Sequence, residues 1–192
     1  IGLSFSLSRD QNTIPVFLTM SIKDRPKDIL KMKPITAGGI DIKRIFELVD
    51  ESRGIDSNGN FIITKPVQDG IFQRWKLYRV TLEVSNNTEK PYHWMTLEDF
   101  FPGGWKPILG ILKTESSLNS EKSEWSYWDH VEARDDRLLA NMSYGYGKKQ
   151  VYTYYIRPES VGRYLLPPAT AYLMYNPNIH AYTQYEQVEV VY

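Results

Sequence analysis

Carboxylates are the side chains in this sequence best placed to do chemistry, and they come in clusters. Glu98-Asp99, Asp129, Glu132, Asp135 and Asp136 form the densest group. A glycoside hydrolase needs two carboxyl groups facing each other across a cleft, one with a raised pKa. Here Asp135 and Asp136 stand between Arg134 and Arg137. Neighbouring cations lower a carboxylate's pKa, the wrong direction for a general acid. Glu132, Arg134, Asp135, Asp136 and Arg137 therefore read as a charge-paired corner between two strands, pinned by the two-pronged grip that Arg has on a carboxylate.

Other chemistries find less support. Asp56-Ser57-Asn58-Gly59-Asn60 has some of the oxygen spacing of a calcium loop, but Phe61 stands where such a loop needs glycine. The segment reads as a hairpin turn, for which Asn-Gly is the strongest short cue. His93, His130 and His180 are far apart and lack zinc-ligand spacing. The chain has no cysteine, which excludes disulfides and thiolate metal sites. Gly103-Gly104-Trp105 is not followed by the Lys-Ser/Thr of a phosphate loop. No metal or cofactor is expected, and no catalytic residue. Two sequons, Asn86-Asn87-Thr88 and Asn141-Met142-Ser143, matter only in a eukaryotic secretory pathway.

The aromatics admit two readings. Aromatic residues make up 14% of the chain, with a concentration at Trp125, Tyr127, Trp128, Tyr152, Tyr154 and Tyr155. They are either the core of a sandwich with ordinary tyrosines outside, or a flat sugar-stacking row. The second reading would make the chain a carbohydrate-binding or adhesion module.

These residues sit on a scaffold of alternating strands. Residues 76–86, KLYRVTLEVSN, place Tyr78, Val80, Leu82 and Val84 on one face and Leu77, Arg79, Thr81 and Glu83 on the other. Strands are also expected at 15–22, 39–48, 94–101, 124–133, 137–144, 150–158, 162–168 and 186–192. Gly- and Pro-rich turns separate them. Strands at short spacing with such punctuation indicate an antiparallel β-sandwich with little or no helix. Residues 109–125 are polar and Ser-rich, and read as a long loop or a short helix. Residues 23–39, charged and ending in Gly38-Gly39, mark an expected boundary. Residues 1–36 would finish a preceding β-domain, and residues 37–192 would form the sandwich. An opening inside a strand, at Ile1 and without Met, is what a piece of a longer protein would show.

Charge narrows the partners. Lys plus Arg number 23 and Asp plus Glu 23. This balance gives no electrostatic reason to bind nucleic acid or an anionic membrane. No apolar run approaches the ~20 residues of a membrane-spanning helix.

Several stretches resemble the C-terminal region of bacterial alpha-2-macroglobulins. HWMTLEDFFPGGWKPI (93–108) is similar to a family strand and turn through Glu98, Asp99, Pro102 and Gly103. Glu132, Arg134, Asp135, Asp136 and Arg137 match the family's E-x-R-D-D-R. YTYYIRPESVGRYLLPPATAYLMYNP (152–177) follows its Y-x-Y-x-x-R and P-P-x-x-A-x-x-M-Y-x-P pattern, with Tyr164 where Phe is usual. GIDIKRIFELVD resembles the family's "GlxvxRxyyd", and NTIPVFLTMSI its strand after the thioester domain. Phe100-Phe101 departs from the family's Pro-Leu, and 110–123 aligns poorly.

The resemblance implies a macroglobulin- or fibronectin-like β-sandwich whose preceding domain is CUB-like. It implies a non-enzymatic part of a protease trap, partnered by the thioester domain and other domains of one parent chain, and through the parent by target proteases. It also implies a periplasmic or outer-envelope location, with membrane contact only through a lipoprotein anchor on the parent. In that family a Met-Tyr pair helps to shield the thioester, and by position the pair is Met174-Tyr175. Tyr offers rigid contact area and Met moulds to irregular gaps. Pro167-Pro168 and Pro177 are expected to end the sheet ladder around them and to leave a stiff projecting loop.

Overall fold

A computed structural model describes residues 26–57, 61–88, 90–108, 128–145 and 148–192. The strand expected at 15–22, residues 124–127 of the one expected at 124–133, the Asn58-Gly59 cue and the segment 109–125 lie outside the described residues. Among the described residues fourteen strands follow in order: β1 (Ile35–Ala37), β2 (Ile40–Val49), β3 (Ile63–Pro66), β4 (Ile71–Gln73), β5 (Tyr78–Asn86), β6 (Tyr92–Phe100), β7 (Trp105–Ile108), β8 (His130–Ala133), β9 (Arg137–Gly145), β10 (Lys149–Pro158), β11 (Gly162–Leu166), β12 (Ala169–Leu173), β13 (Asn176–Tyr182) and β14 (Glu186–Val191). The described helical turns are two short 3-10 pieces, Ile29–Lys31 and Glu51–Arg53. Each is capped by the preceding aspartate, Asp28 or Asp50, as short side-chain acceptors favour. Among the described residues no helix is long and apolar enough to cross a membrane.

Among the described residues the strands form three sheets. The larger ones run β1-β13-β12-β6-β9-β8 and β3-β2-β5-β10-β7, and the smaller runs β11-β14-β4. All pairings are antiparallel except β14 with β4, which is parallel. Alternation works as the sequence suggests: Tyr78, Val80, Leu82 and Val84 on β5 are buried, with partly exposed residues between them. Leu77 is the exception. It lies on the far face, yet Val49 and Tyr155 cover it in a second, smaller cluster. The main core takes side chains from all three sheets, including Ile40, Phe46, Met95, Leu97, Tyr154, Val188 and Phe72. Phe72 meets Tyr78, Trp105 and Phe46 edge-on, at centroid distances of 4.9, 4.7 and 5.2 Å.

The β1 strand spans the expected boundary at residue 36, pairing Ile35, Thr36 and Ala37 with Tyr182, Ala181 and His180. Gly38-Gly39, both at positive φ, then carry the chain from one large sheet to the other. A Cβ on Gly38 would stand 2.5 Å from Ile179 Cγ1, so the turn needs glycine for room as well as for torsion.

One polar network crosses the core. Arg44, Asp99 and Tyr154 occupy inward positions of β2, β6 and β10, where alternation calls for apolar side chains. Arg44 Nη1 donates to Asp99 Oδ1 at 2.6 Å, with both side chains 1% exposed. Tyr154 Oη donates to Asp99 Oδ2 at 2.6 Å. The β2 and β10 strands belong to one large sheet and β6 to the other, so the carboxylate ties the two layers together. Burial, first, and then the Asp99 charge raise the Tyr154 phenol well above its ordinary pKa, keeping it a donor. The Phe46 ring lies 5.4 Å from the Arg44 guanidinium carbon and faces its charge.

Removing one member of a buried pair strands the other charge. Asp99→Ala is expected to cost about 3–5 kcal/mol, against less than about 3 kcal/mol for Tyr154→Phe. Arg44→Met combined with Asp99→Leu is expected to recover most of the loss. Urea unfolding of the three variants checks this ranking.

Candidate functional site

The tip that carries Met174-Tyr175 is a hairpin. Its ladder does not stop there, contrary to the expectation from the flanking prolines: β12 ends at Leu173, β13 begins at Asn176, and these two residues pair. Met174 and Tyr175 are the two loop residues. Two-residue hairpins usually need positive φ to match the strand twist, but the non-glycine residues with positive φ among those described are Trp75 and Trp94. The mismatch is absorbed next door, where the β12–β13 register shifts between Tyr172 and Leu173. Pro177 falls in that irregular stretch, where a missing N–H costs the ladder nothing. The Pro177 carbonyl accepts from His180 Nδ1 at 2.8 Å, which closes the bulge.

The loop presents its side chains outward. Met174 is 50% exposed and Tyr175 79%. The Met174 N–H donates to the Trp94 carbonyl on β6 at 2.8 Å, and the Trp94 ring meets Tyr175 edge-on at 6.0 Å. Trp94 itself has φ 57° and is 47% exposed. A bulky residue in this left-handed region costs on the order of 1–3 kcal/mol and persists only where its surroundings enforce it. Its consequence is a slip of phase along β6. Tyr92 faces the core, His93 and Trp94 are both exposed, and Met95 faces the core again. Strict alternation from Tyr92 would have sent Trp94 inward. Trp94 is the residue that the sequence reading missed, and only a break in alternation could have signalled it.

Beside the tip lies a mostly apolar groove of about 420 Å³, walled by Pro91, Tyr92, Trp94, Leu173, Tyr175 and Ile179. The His93 ring meets Tyr144 edge-on at 4.5 Å, outside the core. Among the described residues no group of three or more His, Asp or Glu is placed to hold a metal ion.

The charged corner lies at the other side of the same sheet. Arg134 N–H donates to the Arg137 carbonyl at 2.8 Å, so Asp135 and Asp136 form the loop between β8 and β9. Arg134 grips both oxygens of Glu132, at 2.8 and 3.3 Å. Arg137 reaches Glu98 at 2.8 Å and Asp136 at 3.1 Å, and lies 4.6 Å from the centre of the Phe100 ring. The Asp136 carbonyl accepts from Phe101 N–H at 2.9 Å, fastening the loop to the end of β6. The hydrogen bond from Arg134 holds the Glu132 carboxyl below its usual range. Glu98 and Asp99 are each engaged by an arginine, Arg137 and Arg44, and Asp99 is buried besides.

Among the described residues the expected aromatic cluster does not form an exposed sugar-stacking row. Tyr152, Tyr154 and Tyr155 are buried, and burial pushes the Tyr152 phenol up to about 12. Trp128 donates through Nε1 to the Val151 carbonyl at 2.9 Å and packs edge-on against Tyr152. Trp125 and Tyr127 lie outside the described residues. The sequon Asn86 is buried too, its amide donating to the Lys90 carbonyl and accepting from Thr88.

Comparison with known proteins gives a consistent family signal. Residues 39–178 match the family described as the bacterial alpha-2-macroglobulin MG10 domain. No curated protein sequence matches the chain. Among solved structures, it resembles Salmonella alpha-2-macroglobulin reacted with methylamine, with 18% identity, TM-score 0.64, and coverage of 87% of this chain and 10% of that one. It resembles trypsin-activated Escherichia coli alpha-2-macroglobulin with 19% identity, TM-score 0.63, and coverage of 83% and 11%. Native E. coli alpha-2-macroglobulin from domain MG7 to the C-terminus matches with 19% identity, TM-score 0.60, and coverage of 82% and 24%. The chain therefore spans between about a tenth and a quarter of the solved relatives it matches.

Glu132 has a lowered pKa, so its bond to Arg134 contributes stability above the ordinary carboxylate range and loses it as pH falls through the depressed value. The small difference in unfolding midpoint between the parent sequence and Glu132→Gln is expected to be present at neutral pH and to vanish in acid. Midpoints measured across that range check it.

Proposed function

Because the chain belongs to the bacterial alpha-2-macroglobulin MG10 domain family, we propose that it is the C-terminal structural and lid domain of a protease-inhibiting parent. In this reading it packs over a thioester domain and shields the thioester until a bait segment is cut. The observation that carries the reading is the Met174-Tyr175 tip. Two bulky side chains stand half or more exposed on a two-residue loop, beside a mostly apolar groove.

A thioester is an activated acyl group. Water attacking its acyl carbon breaks the C–S bond, which frees a cysteine thiol and leaves a carboxylate. The reactive cysteine would lie in another domain, since this chain has none. A cover must exclude water with rigid contact area, which Tyr supplies through two side-chain torsions and Met completes by moulding to what it meets. Covering each side chain is worth roughly 1.5–3 kcal/mol at most. That is enough to favour a closed lid and small enough for a rearrangement of domains to overcome.

The rest of the domain would act as a frame. The Arg137–Glu98 pair and the hairpin loop fastened to Phe101 hold one end of β6, and Trp94 near its other end supports the tip. The domain is not an enzyme in this reading, and it uses no cofactor. Its partners are the other domains of the parent, and target proteases through the parent. The parent would work in the periplasm or outer envelope, attached to a membrane only through a lipoprotein anchor if it carries one.

Tyr175→Ala in the full-length parent is expected to speed the appearance of free thiol without protease, while the melting temperature moves little because the ring is exposed. A thiol-reactive chromophore follows the rate. An unchanged rate removes the lid reading, and a large fall in melting temperature would make Tyr175 a packing residue instead.

A further inference from the structure

We propose that Trp94 is a positioning residue for the tip: it sets the Tyr175 ring in place before any partner arrives. This inference rests on the lid reading and names a residue to which the family resemblance assigns no role.

Four observations converge on it. Trp94 takes a left-handed backbone conformation that a bulky residue rarely adopts. That conformation turns its ring out of the core and onto the side of the sheet where the loop stands. Its ring meets Tyr175 edge-on at 6.0 Å, the geometry in which the positive rim of one ring faces the negative face of the other. Its carbonyl accepts the Met174 N–H at 2.8 Å, so the same residue holds the backbone of the loop and the ring it carries.

The physical need is plain. Tyr175 is 79% exposed, so little of its surface is packed to fix its two torsions. A free ring would have to be ordered at the moment of docking, and that ordering weakens the closed state. Trp94 removes part of this cost in advance. It also keeps Tyr175 along one wall of the groove formed with Pro91, Leu173 and Ile179, rather than collapsed into it.

The test uses the full-length parent and the rate of thiol appearance without protease. Trp94→Gly removes the ring while leaving a residue that accepts positive φ without strain, so the fold is preserved. It is expected to accelerate thiol appearance roughly three- to tenfold, the range for one lost aromatic pair. Trp94→Phe keeps an aromatic edge and is expected to stay within about twofold of the parent. Trp94→Gly with Tyr175→Ala is expected to be no faster than Tyr175→Ala alone, because the two residues act as a unit.

If Tyr175→Ala accelerates the reaction and Trp94→Gly does not, the positioning role is wrong and the lid reading stands. Full additivity in the double variant, or a Phe variant as fast as the Gly variant, also overturns the role. If neither single variant changes the rate, or the parent yields no thiol at all, the lid reading falls and takes this inference with it.

Discussion

A single carboxylate holds the two large sheets in their mutual arrangement. Asp99 on β6 accepts from Arg44 on β2 and from Tyr154 on β10, all of them at inward positions. Hydrophobic contact between sheets is non-directional and tolerates sliding. A buried ion pair does not, because any slide leaves a charge without its partner in a low-dielectric interior. The arrangement of β6 relative to β2 and β10 is therefore set at one point, with Phe46 against Arg44 and Phe101 against Tyr154. Arg44 Nε and Nη2 have no protein acceptor among the described residues, which shows how far this site departs from ordinary core packing.

The β6 strand is also the element on which the candidate site depends. One end carries Asp99 in the core and is fastened outside by Glu98 to Arg137 and by Phe101 to the Asp136 carbonyl. Near the other end it slips phase at Trp94 and meets the Met174-Tyr175 loop. Its pairings with β9 on one side and β12 on the other make it an interior strand. A tip supported from such a strand moves less than one supported from a sheet edge. This is the property a cover needs if it is to seal against a neighbour and yet separate from it as a unit. Backbone strain at Trp94 fits the same picture, since strained residues persist where the surroundings over-determine them.

Several features were legible along the chain. The alternation of β5 and the all-β class follow from local rules: period-two burial and turn residues. The strand boundaries of β2, β9 and β10 lie within a residue or two of those expected. Arg44, Asp99 and Tyr154 sit in three separate stretches that carry the family resemblance, but nothing in those stretches says that they meet. The aromatic concentration at 152–155 was ambiguous for a related reason. Tyr155 lies on the outer face of its sheet and is nonetheless buried, because a second cluster with Val49 and Leu77 covers it.

What the amino-acid order settled by itself is the all-β class, the alternation of β5 and the neutrality, which follow from local pattern and composition; the short strands β1, β3, β4, β7 and β13 were not among those expected. The tertiary structure decided which strands became adjacent, and with that the buried ion pair, the parallel β4–β14 pairing and the approach of Trp94 to Tyr175. It also turned the Met174-Tyr175 loop into a hairpin, by letting a register shift absorb both the twist mismatch and Pro177. The physical reason is that alternation has a period of two residues, whereas pairing joins residues dozens of positions apart and is chosen by the packing of the whole core.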